Sequence, residues 1–187
     1  MRTRTRTLLT LAVVLAFIAT STGFSFASQI TKQIDESQMV KMAGNTRPEA
    51  KVASLDRGPV ADSVKLDHMF LLLQRSPDKE QELDTFIDEL SDKSSANFHK
   101  WLTPEEFGEK FGVAQEDIDT VTTWLQSHGF RVNRVYENKM LIDISGTAAQ
   151  LREVFRTDIH QLNVGGQSHI ANVNDPQVPA ALAPVVK

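Results

Sequence analysis

Cysteine is absent from the 187 residues. That excludes disulfides, thiolate zinc sites, a cysteine nucleophile and a lipidated N-terminal cysteine. Aromatics are sparse at 7%, with one tyrosine and two tryptophans. Basic residues do not dominate: 20 Lys and Arg face 24 Asp and Glu, for a net charge of −4. A nucleic-acid domain ordinarily carries a basic patch, so this balance argues against that class. Long apolar runs are missing apart from one at the N-terminus, and there are no internal repeats. What remains, 41% hydrophobic and 24% charged residues, is an ordinary globular balance, enough for about one domain with extensions.

Arg2, Arg4 and Arg6 precede an apolar run from Leu8 to Ala19, and Ser25-Phe26-Ala27 places small residues at both positions of a cleavage site. About twelve apolar residues fall short of a hydrocarbon layer of ~30 Å. The three-part pattern is that of a secretory signal peptide over residues 1–27, a retained anchor being the alternative. Its removal subtracts three of the 20 basic residues and no acid, leaving 17 against 24 and a net charge of −7. An acidic chain outside the cytoplasm, secreted or periplasmic and free of the membrane, is the expectation.

Residues 28–62 show no sustained period and are interrupted by Gly44, Pro48, Gly58 and Pro59. They read as a flexible lead-in with one short helix around Asp35 to Met42, order beginning near Val64. Val64 to Gln74 is dense enough in apolar residues for a buried strand. Ser76-Pro77 opens a helix with Leu83, Phe86, Ile87 and Leu90 inward. Thr103-Pro104-Glu105-Glu106 is a capping box for a shorter helix closed by Gly112. Glu116 and Asp117 start a third helix with Ile118, Val121 and Leu125 inward. Two alternating stretches, Phe130 to Tyr136 and Met140 to Ile144, form a hairpin. Thr147 and Gln150 cap a fourth helix, and Gly165-Gly166 turns a second hairpin. The order predicts an α+β, ferredoxin-like antiparallel sheet with helices on one face, over residues 63–175. Three prolines in residues 176–187 mark an extended, departing tail.

The chemistry-bearing candidates mostly have structural explanations. Ser145-Gly146-Thr147 looks like a nucleophile loop, yet a strand end, a glycine break and a capping threonine account for it without a general base. The five histidines, His68, His99, His128, His160 and His169, lack helical metal-pair spacing. His160 and His169 are nearly equidistant from the Gly165-Gly166 turn, which places them for an approach across that hairpin. Glu105-Glu106 and Glu116-Asp117 are neighbours that point apart on a helix. Gly165-Gly166 has no following lysine or helix, so it is no phosphate loop. Phe98, Trp101, Phe107 and Phe111 admit two readings: cement between the short helix and the sheet, or a protein-docking patch.

Asn97-Phe98-His99-Lys100-Trp101-Leu102-Thr103-Pro104-Glu105-Glu106-Phe107, followed by Phe111-Gly112, resembles the signature of the activation prodomains of sedolisin (kumamolisin-type) serine-carboxyl peptidases. The resemblance runs on through Trp124-Leu125, Gly129-Phe130, Gly146-Thr147 and Val154-Phe155-Arg156-Thr157 to Ile159. It ends in Pro176-Gln177-Val178-Pro179-Ala180 and Leu182, covering about residues 55 to 186. It implies a ferredoxin-like intramolecular chaperone and inhibitor of a secreted, acid-acting endopeptidase, and the acidic character of the chain adds the expectation of release at acidic pH. The family's serine, glutamate, aspartate and calcium site lie in a catalytic domain these residues do not contain. Ser145-Gly146-Thr147-Ala148 lacks the second serine and the downstream proline of the family's nucleophile sequence. No catalytic residue, cofactor or metal ligand carries over, and the chain is expected not to be an enzyme. The implied partner is a sedolisin-type catalytic domain, in cis or in trans. Expected partner-binding residues are Phe98, His99, Trp101, Pro176, Val178, Pro179 and Leu182. The alternative is a stand-alone or vestigial secreted domain acting as a trans inhibitor or another binding module.

Overall fold

Capping chemistry sets the helix starts where the sequence places them. The computed structural model describes residues 27–187, so the expected signal segment lies outside the described residues except for Ala27. Ser76 Oγ accepts the Lys79 amide at the start of α1 (Pro77–Ser91), with proline in the first turn. Thr103 and Glu106 exchange hydrogen bonds as a capping box on α2 (Pro104–Phe111). α3 (Gln115–Ser127) has no side-chain cap and instead carries Glu116 and Asp117 in its first turn. Thr147 and Gln150 form the second capping box, on α4 (Ala148–Val154).

Among the described residues eight strands follow in chain order: β1 (Met39–Lys41), β2 (Asp56–Pro59), β3 (Lys65–Leu72), β4 (Arg131–Val135), β5 (Leu141–Thr147), β6 (Ile159–Val164), β7 (Gln167–Asn172) and β8 (Gln177–Pro179). All pairings are antiparallel, and the α+β class is the one the sequence predicts. The strands divide into three sheets, β1-β8, β2-β6-β7 and β3-β5-β4, where one was expected. The reason lies in β6. The Gly165-Gly166 turn, with both residues at positive φ (61° and 82°), folds β7 onto one of its edges. β2, from the lead-in, takes the other edge. With both ladders used, β6 has no edge left for β3.

α3 packs against β4, α4 against β5 and β6, and α1 against α2. The main core joins Val113, Ile118, Val121, Trp124, Leu125, Phe130, Ile142, Ile144 and Phe155 to the C-terminal Val178, Leu182, Val185 and Val186. A smaller cluster holds α1 to α2 through Phe86, Leu90 and Phe111, with Leu83, Leu102 and Phe107 at its rim. Ile87, expected on the inner stripe of α1, is half exposed because that stripe covers only the short α2.

Three further expectations are corrected. Asp35 to Met42 is not helical. The Asp35 carboxylate accepts the amide and hydroxyl of Ser37, forming a local turn that competes with a helix. Met39–Lys41 then pairs with Gln177–Pro179 as β1. Order does not begin at Val64: two 3-10 turns and β2 precede it, and Ser28 to Ile30 are hydrogen-bonded to Asp117. The tail does not depart. It forms β8 and a turn in which the amides of Val185 and Val186 both donate to the Leu182 carbonyl, with apolar side chains completing the core.

β3 is likewise an open-edged strand and not a buried one, with Phe70 and Leu72 about half exposed. Its alternation is interrupted at His68, whose φ of 56° coincides with a register shift between Leu66 and Met69.

Gly108, like Gly112 and Gly146, is needed for space and not for a positive φ. A Cβ on Gly108 of α2 would sit 2.0 Å from the Glu137 carbonyl oxygen in the β4–β5 turn. Gly108→Ala is therefore expected to destabilise the chain by about 1–3 kcal/mol or more, through overpacking against backbone that cannot rotate away. A urea melt with an unchanged midpoint would contradict this.

Candidate functional site

The aromatic signature divides in two. Phe111 lies inside the α1–α2 cluster and Phe107 at its rim, their ring centroids 5.7 Å apart and Phe111 5.3 Å from Phe86. Cations cover this cluster: Lys110 Nζ lies 3.9 Å from the Phe86 ring centre and the Arg75 guanidinium 5.2 Å from Phe107. They cement α2 to α1, so the expected contact with the sheet is replaced by a helix–helix contact. Phe98, His99 and Trp101 lie in the link before α2 and stack as a short ladder, with centroid spacings of 3.8 Å and 6.4 Å. Trp101 is 73% exposed. Two features hold the link in place. The His99 amide donates to the Leu90 carbonyl at the end of α1, and Asn97 Nδ2 donates to Glu89 at 2.6 Å. His99 adopts φ 57°, a left-handed conformation uncommon for a residue with a side chain. The result is a fixed loop presenting planar rings to solvent.

The tail candidates are placed differently. Pro176 is half-buried, Pro179 is buried, and Val178 and Leu182 are 1% and 0% exposed. Val178, Pro179 and Leu182 therefore face the core in this conformation. Their side chains meet a partner only after leaving it. The structure does not bring the tail and the aromatic ladder together as one lining: the tail residues join the main core, and the ladder stands beside the separate α1–α2 cluster.

Three polar arrangements escaped the sequence reading. The first is Asp117, fully buried at the start of α3. Its carboxylate accepts Ser28 Oγ at 2.5 Å, the Gln29 amide at 2.9 Å and the Ile30 amide at 3.0 Å. An acid in a first helical turn reads as a response to the helix dipole; that it also clamps residues far upstream has no local signal. The second is on the outer face of the β3-β5-β4 sheet. Asn133 Nδ2 donates to Asp143 and to Ser145 Oγ, and the His68 ring meets Asp143 at 2.8 Å. Among the described residues no histidine hydrogen-bonds Ser145, and Thr147 serves as the cap of α4. The third is Glu36, which accepts Trp124 Nε1 at 2.9 Å and contacts the His128 ring.

Three carboxylates, Glu36, Asp143 and Asp56, are held low by such contacts. The Trp124 indole N–H, then His128, holds Glu36 below its ordinary value. Asn133, then His68, lowers Asp143. The Gly58 amide, then His160, lowers Asp56. His160 is thus committed to Asp56. It lies opposite Ala171 while His169 lies opposite Leu162, so the two histidines do not pair across their hairpin. Among the described residues no group of three or more His, Asp or Glu is placed to hold a metal ion. Among them, too, no helix is long and apolar enough to cross a membrane.

The family described as pro-kumamolisin, activation domain, matches residues 53–187. The chain is similar to xanthomonalisin of Xanthomonas sp. (strain T-22), 36% identical over 129 residues, 67% of this chain and 15% of that protein. It is also similar to sedolisin of Pseudomonas sp. (strain 101), 24% identical over 137 residues, covering 73% of this chain and 23% of the other. Kumamolisin of Bacillus sp. (strain MN-32) is 23% identical over 154 residues, 82% of this chain and 27% of its own length. The chain therefore spans between about a seventh and a quarter of these relatives. The match includes β2 and the whole C-terminal tail, which the structure places inside the fold. The matched unit is a prodomain and not a catalytic domain, and the chain belongs to the pro-kumamolisin activation domain family, the activation prodomains of sedolisin-type peptidases.

Proposed function

We propose that this chain is the propeptide of a secreted sedolisin-type endopeptidase, acting as its intramolecular chaperone and inhibitor and letting go at acidic pH. The family match over residues 53–187 carries the reading. A domain that binds the folded catalytic unit and not the unfolded one stabilises it by mass action. The rigid link of Phe98, His99 and Trp101 is the accessible part of the expected docking set, and a wide exposed tryptophan suits an interface anchor.

The acid response follows from Glu36, Asp56 and Asp143. Their folded values lie below the ordinary carboxylate values. Each therefore contributes stability above the ordinary value, and that contribution is lost as pH falls through the lowered one. Acid thus slackens the Glu36 contact with α3, the outer face of β5 and the β2 edge, and the docked shape weakens.

The expected result is tight inhibition of a sedolisin-type peptidase by the purified chain near neutrality, weakened at least tenfold at about pH 3, below the ordinary carboxylate values. Equal inhibition at both pH values would remove the acid release. No inhibition at either would remove the inhibitor role.

A further inference from the structure

The free edge of β3 is already partly paired. Beyond Leu72 the chain meets its own C-terminus: Leu73 bridges Val186 in antiparallel sense. The Gln74 amide donates to the Val185 carbonyl at 2.7 Å and the Lys187 amide to the Leu72 carbonyl at 3.0 Å. These contacts define an antiparallel ladder in which Leu72 stands opposite Lys187. On its other side β3 pairs with β5. The ladder stops at Leu72, although the strand continues to Lys65.

Beside this stretch lies an apolar cleft of about 310 Å³ between the β3-β5-β4 and β2-β6-β7 sheets. Met69, Leu71, Ile144, Leu151, Phe155 and Ile159 are among its walls. It lies beside the edge of β3 that β6 would have paired, had β2 and β7 not taken both of its own.

We infer that the open edge of β3 is a receptor for an extended strand that runs on from Lys187, antiparallel to β3. The occupant is the polypeptide following Lys187 in a longer precursor, an assignment that rests on the prodomain reading. The geometry of the edge is independent of that reading. In this register the second residue beyond Lys187 stands opposite Phe70 and shares its main-chain hydrogen bonds. The first and third stand opposite Leu71 and Met69, and because side chains alternate, theirs enter the cleft. The site therefore selects apolar residues at the first and third positions beyond Lys187. A shift of one residue turns them outward. Main-chain pairing supplies the affinity and the cleft supplies the pattern, as in strand addition to a sheet edge.

The test extends the chain itself and needs no peptidase. Three versions carry four added residues after Lys187: Val-Thr-Val-Thr in phase, Thr-Val-Thr-Val out of phase, and Gly-Ser-Gly-Ser. Amide exchange at Phe70 is read by NMR together with Tm, in monomeric samples. The in-phase extension is expected to slow Phe70 exchange about tenfold or more relative to Gly-Ser and to raise Tm, with the out-of-phase version close to Gly-Ser. Equal exchange in all three overturns the inference. So does protection that appears only in a concentration-dependent dimer. Either failure leaves the inhibition assay untouched, and loss of inhibition leaves this result standing.

Discussion

Cutting the chain after Asp175 is expected to abolish cooperative folding. The missing residues include Val178, Leu182, Val185 and Val186, each 0–2% exposed within the main core. Burial of an aliphatic side chain of this size contributes about 1.5–3 kcal/mol, so the four together supply roughly 6–12 kcal/mol as an upper estimate. That is comparable with the entire stability of a typical domain, about 5–15 kcal/mol. The cut also takes β8, the partner strand of β1, and the carbonyl of Val185 that accepts the Gln74 amide. A milder form of the same experiment is Leu182→Ala, expected to cost about 2–5 kcal/mol by transfer loss plus the cavity left behind. Urea denaturation followed by circular dichroism reads both. A truncated chain that unfolds with near full-length midpoint and slope would show that the tail is an accessory and not part of the core. The consequence for function is direct. A tail built into the core must be released before Val178, Pro179 or Leu182 can touch another protein, so docking through them competes with the prodomain's own stability.

The second large effect is expected at Asp117. Its carboxylate is the shared acceptor for three donors on Ser28, Gln29 and Ile30, in a place closed to water. Asp117→Ala takes the acceptor from the Gln29 and Ile30 amides, leaves Ser28 Oγ only the Ile30 carbonyl, and removes a negative charge from the first turn of α3, for a loss of about 3 kcal/mol. Asp117→Asn keeps one acceptor oxygen and should fall between the two. The loss should be regional before it is global. Amide exchange at Gln29 and Ile30 should rise sharply in Asp117→Ala, while the Ile142 and Ile144 amides in β5 change only as far as global stability does. Unchanged protection at Gln29 and Ile30 would mean that the carboxylate does not hold this segment.

Local features were read correctly because their causes are local. Ser76 with Pro77, Thr103 with Glu106 and Thr147 with Gln150 satisfy amides within four residues. Gly165 and Gly166 adopt the two positive φ values that a two-residue hairpin needs, whatever surrounds them. The aromatic run was only half legible. Spacing alone does not say that Phe107 and Phe111 turn into α1 while Trp101 turns out, because that depends on where α1 lies. β3 misled for a related reason. A dense apolar run fits a doubly covered strand equally well as one that leaves an edge and a cleft unfilled.

What the amino-acid order determined unaided is the four capped or acid-started helices α1 to α4, the two hairpins, the class they imply and the family motif, since each depends on neighbours within about a dozen residues. Tertiary structure alone decided the division into three sheets, the burial of the tail and the grip of Asp117 on Ser28 to Ile30. Those outcomes turn on competition for finite partners. β6 has only two edges, the core has room for four more aliphatic side chains, and one buried carboxylate needs donors. Which distant segment wins each place is settled by packing and hydrogen bonding across the fold, where no periodicity in the chain records the result.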